Sequence, residues 1–147
     1  GLRPNVVAPR SEAVVDVRVA TAADAERIEA AIRGLKPAIA GTSIEVEGLF
    51  GRPAMEHTPA NRKLWRLACQ LGSDLGIDLE EGAAGGGSDG NFTSLYTATL
   101  DGMGAVGDGA HARHEHLRLT PTIERSALLA LLLMAPPLQK TSRAEKP

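Results

Sequence analysis

The chain of 147 residues has a single cysteine, Cys69, so it has no internal disulfide. A lone thiol suits a reducing compartment, and the cytoplasm is the expected location. Aromatic residues are nearly as scarce, with one Trp, one Tyr and two Phe. The core must therefore come from Val, Leu, Ile and Ala, and 43% hydrophobic residues are enough to build one. Long apolar runs are missing as well. The longest, "ALLALLLMA" at 127–135, is far shorter than the ~20 residues that span a bilayer and reads as a buried helix. There is no excess of one charge, and a net charge of −2 argues against nucleic acid or a membrane surface as partner. The chain has no repeat and no sizeable low-complexity segment. Its opening, "GLRPNVVAPRSE", has no initiator Met, signal peptide or cap, and reads as the middle of something longer.

What is present alternates between strand and helix patterns. "EAVVDVRVA" (12–20) places Asp16 and Arg18 on one face of a half-exposed strand. Thr21 caps a helix over 22–34, with Asp24 at its third position as in a capping box and Gly34 near its end. "TSIEVEGLF" (42–50) is a second alternating strand, and "GRPAMEHTP" breaks the pattern as a boundary. Thr58 and Pro59 open another helix, in which Leu64, Ala68, Leu71 and Leu75 form one stripe. Beyond it come a short strand at "IDLEEG", a triple-glycine loop, a short helix, and a strand running into a histidine loop. Thr120 and Pro121 start a last helix through Met134, apolar on nearly every face and expected to be buried. Pro136 and Pro137 stop it, and "LQKTSRAEKP" is a solvated tail.

The chemistry-bearing residues concentrate in "GDGAHARHEH" (107–116), which holds three of the four histidines, with Glu115 between the last two. On a strand His114 and His116 share a face, while His111 projects from the other face or from the loop. Clustered His and Glu can supply zinc with nitrogen and oxygen ligands, and a polar loop with solvated imidazoles fits the local sequence equally well. "GGGSDG" (85–90) permits close backbone approach and offers successive N–H groups to a carboxylate. It also suits a tight connection with Ser88 or Asp89 capping the next helix. No Lys-Ser/Thr follows, so it is no phosphate loop.

"GGGSDGN", then "TLDGMGAVGDGAHARHE", then an apolar helix resemble the C-terminal part of a family of zinc metallopeptidases and deacylases. That family includes glutamate carboxypeptidase, acetylornithine deacetylase and succinyl-diaminopimelate desuccinylase. "NVVAPRSEAVVDVR" is similar to its Asn-Val-Val-Pro segment and Asp-x-Arg strand, and "GRPAM" to its Gly-Arg-Pro turn. Glutamate carboxypeptidase is the nearest pattern, and the motifs, in order, cover almost the whole chain. The resemblance implies an α/β fold, the back part of a two-domain aminopeptidase-like zinc hydrolase. Residues 1–56 would be the second part of a ferredoxin-like lid, or dimerisation, domain. Residues 57–147 would be the C-terminal part of the catalytic domain.

The same resemblance implies roles for single residues. His111 matches the final zinc ligand, Glu115 an acidic residue supporting it, and His114 and His116 match nothing. Asn5 and Arg18 match lid residues that contact substrate in dimeric members, and Arg52 matches an arginine that holds the substrate carboxylate; Gly86 and Gly87 of the triple-glycine loop are candidate substrate-binding residues through their N–H groups. An arginine fork pairs bidentately with such a carboxylate, and an Asn amide can hydrogen-bond a carbonyl or developing oxyanion. Apart from the family, Arg18 and Arg52 read as surface charge. Glu80-Glu81 imitates the family's catalytic Glu-Glu pair, but that pair belongs upstream of the lid, so both read as polar strand-end residues.

The departures matter as much. The His-x-Asp ligand, the bridging Asp, the Glu-Glu general base, the remaining carboxylate ligand, and the lid's first strand and its His have no counterpart here. The motif proline is displaced by one, at Pro9. A hydrolytic site with two zinc ions roughly 3.5–4 Å apart needs more than one His. The expectation is part of a zinc-dependent amidohydrolase acting on a small peptide or N-acyl amino acid, inactive alone. Its partners would be the missing N-terminal part of the enzyme and a second copy paired through the lid. The alternatives are a non-catalytic dimerisation module and a small domain using His111, His114, Glu115 and His116 as its own zinc site.

Overall fold

Helix capping organises what the chain forms on its own. The computed structural model describes residues 3, 5–48 and 51–138. Its elements are α1 (Ala22–Arg33), α2 (Pro59–Asp74), α3 (Gly90–Thr93), β1 (Gly107–Asp108), β2 (His116–Leu117) and α4 (Leu119–Met134). The chain divides into two compact units, Gly1–Gly51 and Arg52–Pro147, so the division falls inside "GRPAMEHTP".

In the first unit, α1 begins where Thr21 Oγ1 accepts the Asp24 N–H at 3.0 Å and donates to the Asp24 carboxylate at 2.8 Å. This reciprocal pair satisfies one of the helix's orphan donors, as a capping box does. Arg27 and Arg33 extend the polar surface by pairing with Asp24 and Glu29. Arg33 also donates to the Gly48 carbonyl at 2.9 Å. The two alternating segments expected as strands take part in no ladder among the described residues, and residues 49 and 50 lie outside them. The physical reason is that alternation selects a face, whereas a strand exists only with a hydrogen-bonded neighbour. No described residue of this unit is buried, and Val14 is 95% exposed.

In the second unit, Thr58 accepts the Asn61 N–H at 3.1 Å, and Pro59 occupies the first turn of α2, where its missing N–H leaves no bond unmade. The helix ends in a Schellman motif. Gly76, at φ 71°, donates to Ser73 O, and Ile77 donates to Gly72 O at 2.8 Å. The turn folds Leu79 back onto Gly72, where an added Cβ would lie 3.1 Å from its side chain. Helix α2 packs against α4, with Ala68 and Leu128 as the buried apolar residues.

Two further expectations are corrected here. The strand patterns at "IDLEEG" and before the histidine loop form no ladder, apart from the two-residue β1–β2 hairpin. Helix α4 starts at Leu119 rather than Thr120 and is not buried all round. Leu128 is enclosed, but Leu133 is 78% and Met134 73% exposed, because only α2 covers the helix among the described elements. Residues 139–147 of the expected tail lie outside the described residues.

Candidate functional site

The second unit brings two separate sequence motifs together. The Arg52 side chain lies directly against Gly87, where an added Cβ would collide with Arg52 Cδ. Its guanidinium sits 5.7 Å from the centre of the Phe92 ring, within cation–π range. No carboxylate among the described residues pairs with it. The Gly86 and Gly87 N–H groups likewise donate to no described residue. A guanidinium lying against a glycine loop whose N–H groups are open can hold a carboxylate.

The loop that offers these donors is held from within and from outside. Asn91 Oδ1 accepts the Ser88 N–H at 2.8 Å, and Asn91 Nδ2 donates to the Pro53 carbonyl, also at 2.8 Å. Ser88 Oγ accepts the Gly90 N–H at 2.9 Å and donates to Asp101 at 2.6 Å. Asp89 makes no side-chain cap, so Ser88 is the residue that closes the turn into α3. A second amide works from α2. Buried Asn61 donates to the Glu56 carbonyl at 2.9 Å and accepts the Thr99 N–H at 2.9 Å. Segment 53–56 is therefore pinned at both ends by asparagines. Sequence reasoning missed both. The available signals were the place of Asn91 at the end of "GGGSDGN" and of Asn61 at the third position of a capped helix.

His111 belongs to a different local structure. β1 and β2 pair antiparallel, Gly107 opposite Leu117 and Asp108 opposite His116, and the loop between them carries His111. A Cβ on Gly107 would strike the His116 carbonyl, so the hairpin closes through glycine. Thr122 of α4 accepts the Val106 N–H at 3.2 Å, which anchors the hairpin's base to the helix. His111 has φ 68°, the left-handed region that non-glycine residues rarely enter. Its N–H donates to Glu115 Oε2 at 3.1 Å, so Glu115 fixes the backbone, and the imidazole makes no hydrogen bond to the described residues. His116 lies on the strand and its Nδ1 donates to the His114 carbonyl, 3.0 Å away, while His114 itself lies in the loop. Asp108, Glu115 and His116 line an open depression of about 480 Å³.

Among the described residues no group of three His, Cys, Asp or Glu side chains is arranged to hold a metal ion. His111, His114, Glu115 and His116 are not grouped in this way among the described residues. His111 can offer one donor nitrogen and no more. In the first unit, Arg18 is paired with Asp16 at 2.8 Å, and Asn5 is exposed in a turn. Glu81 lies 3.5 Å from His57 on the surface. No helix among the described residues is long and apolar enough to cross a membrane. Comparison with protein-family models, curated proteins and solved structures found no match to the chain.

Proposed function

We propose that the chain supplies the carboxylate-recognition part of a zinc-dependent amidohydrolase, acting on a small peptide or N-acyl amino acid. The observation that carries this reading is the Arg52 side chain lying against Gly87, with its guanidinium unpaired by any described carboxylate and the loop's Gly86 and Gly87 N–H groups open among the described residues. The fork bonds both carboxylate oxygens, and the glycine amides complete the oxyanion's shell. In this reading His111 is one ligand of a two-zinc centre whose other ligands and general base lie outside these residues. Bound zinc would polarise the scissile amide and activate water. The described residues bring no group of three ligands together, so besides that one ligand the chain's contribution in this reading is orientation of the substrate's carboxylate. The hairpin's strain supports the reading for His111, since a left-handed histidine with an idle imidazole is a costly way to build a plain loop.

The test is a nuclear magnetic resonance titration of the 147-residue chain with N-acetylglycine. The Gly86, Gly87 and Arg52 side-chain N–H signals should move together, and N-acetylglycinamide, which lacks the carboxylate, should leave them in place. Equal responses to both compounds would exclude a carboxylate site.

A second reading, a dimerisation module, is favoured by residues 12–20 and 42–48, which have strand patterns and no ladder partner. In a ferredoxin-like split β-α-β unit the two strands flank a third, so neither pairs with the other until that strand is supplied. A second copy could supply it by edge pairing, and light scattering across concentration would show the dimer.

A further inference from the structure

Asn91 hydrogen-bonds neither an open donor nor the Arg52 guanidinium, yet it ties the two segments that carry them. Its acceptor oxygen holds Ser88, directly after Gly87, and its amide nitrogen holds Pro53, directly after Arg52. Each bond is 2.8 Å and partly shielded from water, so each is short and poorly replaced by solvent. Without the first, the glycine loop is free to turn its N–H groups away. Without the second, the Gly-Arg-Pro turn loses its hydrogen-bonded tether to that loop, since the bond from Asn61 to Glu56 joins the segment to α2 instead. Packing around the clamp is close. A Cβ on Gly90 would lie 2.9 Å from Ser88 Oγ and 3.4 Å from Met55 Sδ, which leaves little room for another arrangement.

Resting on the carboxylate-site reading above, we infer that Asn91 is its positioning residue: one amide, bonded to both segments, sets Arg52 and the Gly86–Gly87 amides at a single carboxylate. The same side chain uses both its donor and its acceptor, a role an isosteric aspartate cannot fill because it lacks the N–H.

The experiment is a double-mutant cycle on the 147-residue chain, with N-acetylglycine as the probe and affinity read from the Gly87 amide shift. Arg52→Ala should weaken binding strongly, and Asn91→Ala about tenfold. The double variant should lose less than the sum of the two single losses, because part of what Asn91 does is to place Arg52. If Arg52→Ala has no effect, the carboxylate-site reading fails. If Arg52→Ala weakens binding but Asn91→Ala does not, or if the two losses add in full, the positioning role fails while the site stands. Should Asn91→Ala not fold, the unaltered chain still decides. The Asn91 side-chain amide should show a scalar coupling through its hydrogen bond to the Pro53 carbonyl and slowed exchange with water. Free exchange with no such coupling would overturn the clamp.

Discussion

Replacing His111 with glycine should tighten the hairpin that carries it. At φ 68° an L side chain crowds its own backbone, at a cost of roughly 1–2 kcal/mol relative to glycine. Histidine tolerates this region better than most residues, so the lower end applies, about 1 kcal/mol. No side-chain bond offsets that cost. The contact that holds the position, His111 N–H to Glu115, is made by the backbone and survives any substitution except proline. The Arg118 N–H donates to the Val106 carbonyl at 2.8 Å at the hairpin's base, so its exchange with water reports opening. In His111→Gly that exchange should slow about fivefold, the equivalent of ~1 kcal/mol. Alanine has the same Cβ and meets the same crowding, so His111→Ala should leave exchange within about twofold of the original. The pair of variants separates backbone strain from loss of the imidazole. Faster exchange in the glycine variant, or an equal gain in the alanine variant, would refute the strain argument. It would also remove the structural reason for regarding this histidine as kept for its side chain.

Four further outcomes can be checked. Gly87→Ala places a methyl where Arg52 Cδ lies; the flexible arginine should move aside, so carboxylate binding should fall steeply in titration while the melting curve shifts little. Leu128→Ala removes the one large side chain fully buried among the described residues; at about 2–5 kcal/mol for such a truncation, thermal circular dichroism should show no remaining cooperative transition. The Asp24 carboxyl is held below its ordinary value, first by its hydrogen bond from Arg27 and then by that from Thr21. Its stabilisation of α1 is therefore present above the ordinary Asp range near 4 and lost as pH falls through the lowered value, and Asp24→Asn should flatten the acid loss of α1 amide shifts. Purified 147-residue protein with added zinc should show no amide hydrolysis, since no three potential ligands converge among its described residues; zinc-dependent turnover free of host enzyme would overturn this.

What was legible in the sequence follows the range of the interactions concerned. Helices α1 and α2 could be placed from Thr21, Asp24, Thr58 and Pro59, because a cap is decided within four residues. The strand patterns could not be converted into a sheet, because 12–20 and 42–50 specify a face and no neighbour. For α4 the composition correctly signalled a helix that wants burial. It could not say what provides the burial, and α2 covers only the side bearing Leu128. Leu129, Leu133 and Met134 are left to solvent, the kind of apolar face that a further layer of a larger fold would cover.

The candidate site shows the same division more sharply. Arg52 and the triple glycine were each visible as motifs, but their contact was not, since nothing local to either names the other. The residue that joins them is a polar amide whose partners are main-chain atoms, and a main-chain partner leaves no trace in side-chain patterning. Asn91 and Asn61 use the same device, each binding one main-chain group a few residues away and another 38 residues away. An asparagine in a short-range role would cap a turn and bond within its own loop, as Ser88 does with Gly90. Here each amide makes such a short-range bond and also bridges 38 residues, a distance that no local rule covers. That geometry explains why an exposed arginine, which from the sequence alone reads as surface charge, can be held with its guanidinium over Phe92 and its stem on Gly87. In the carboxylate-site reading, fixing that side chain in advance would lower the entropy lost when a carboxylate arrives.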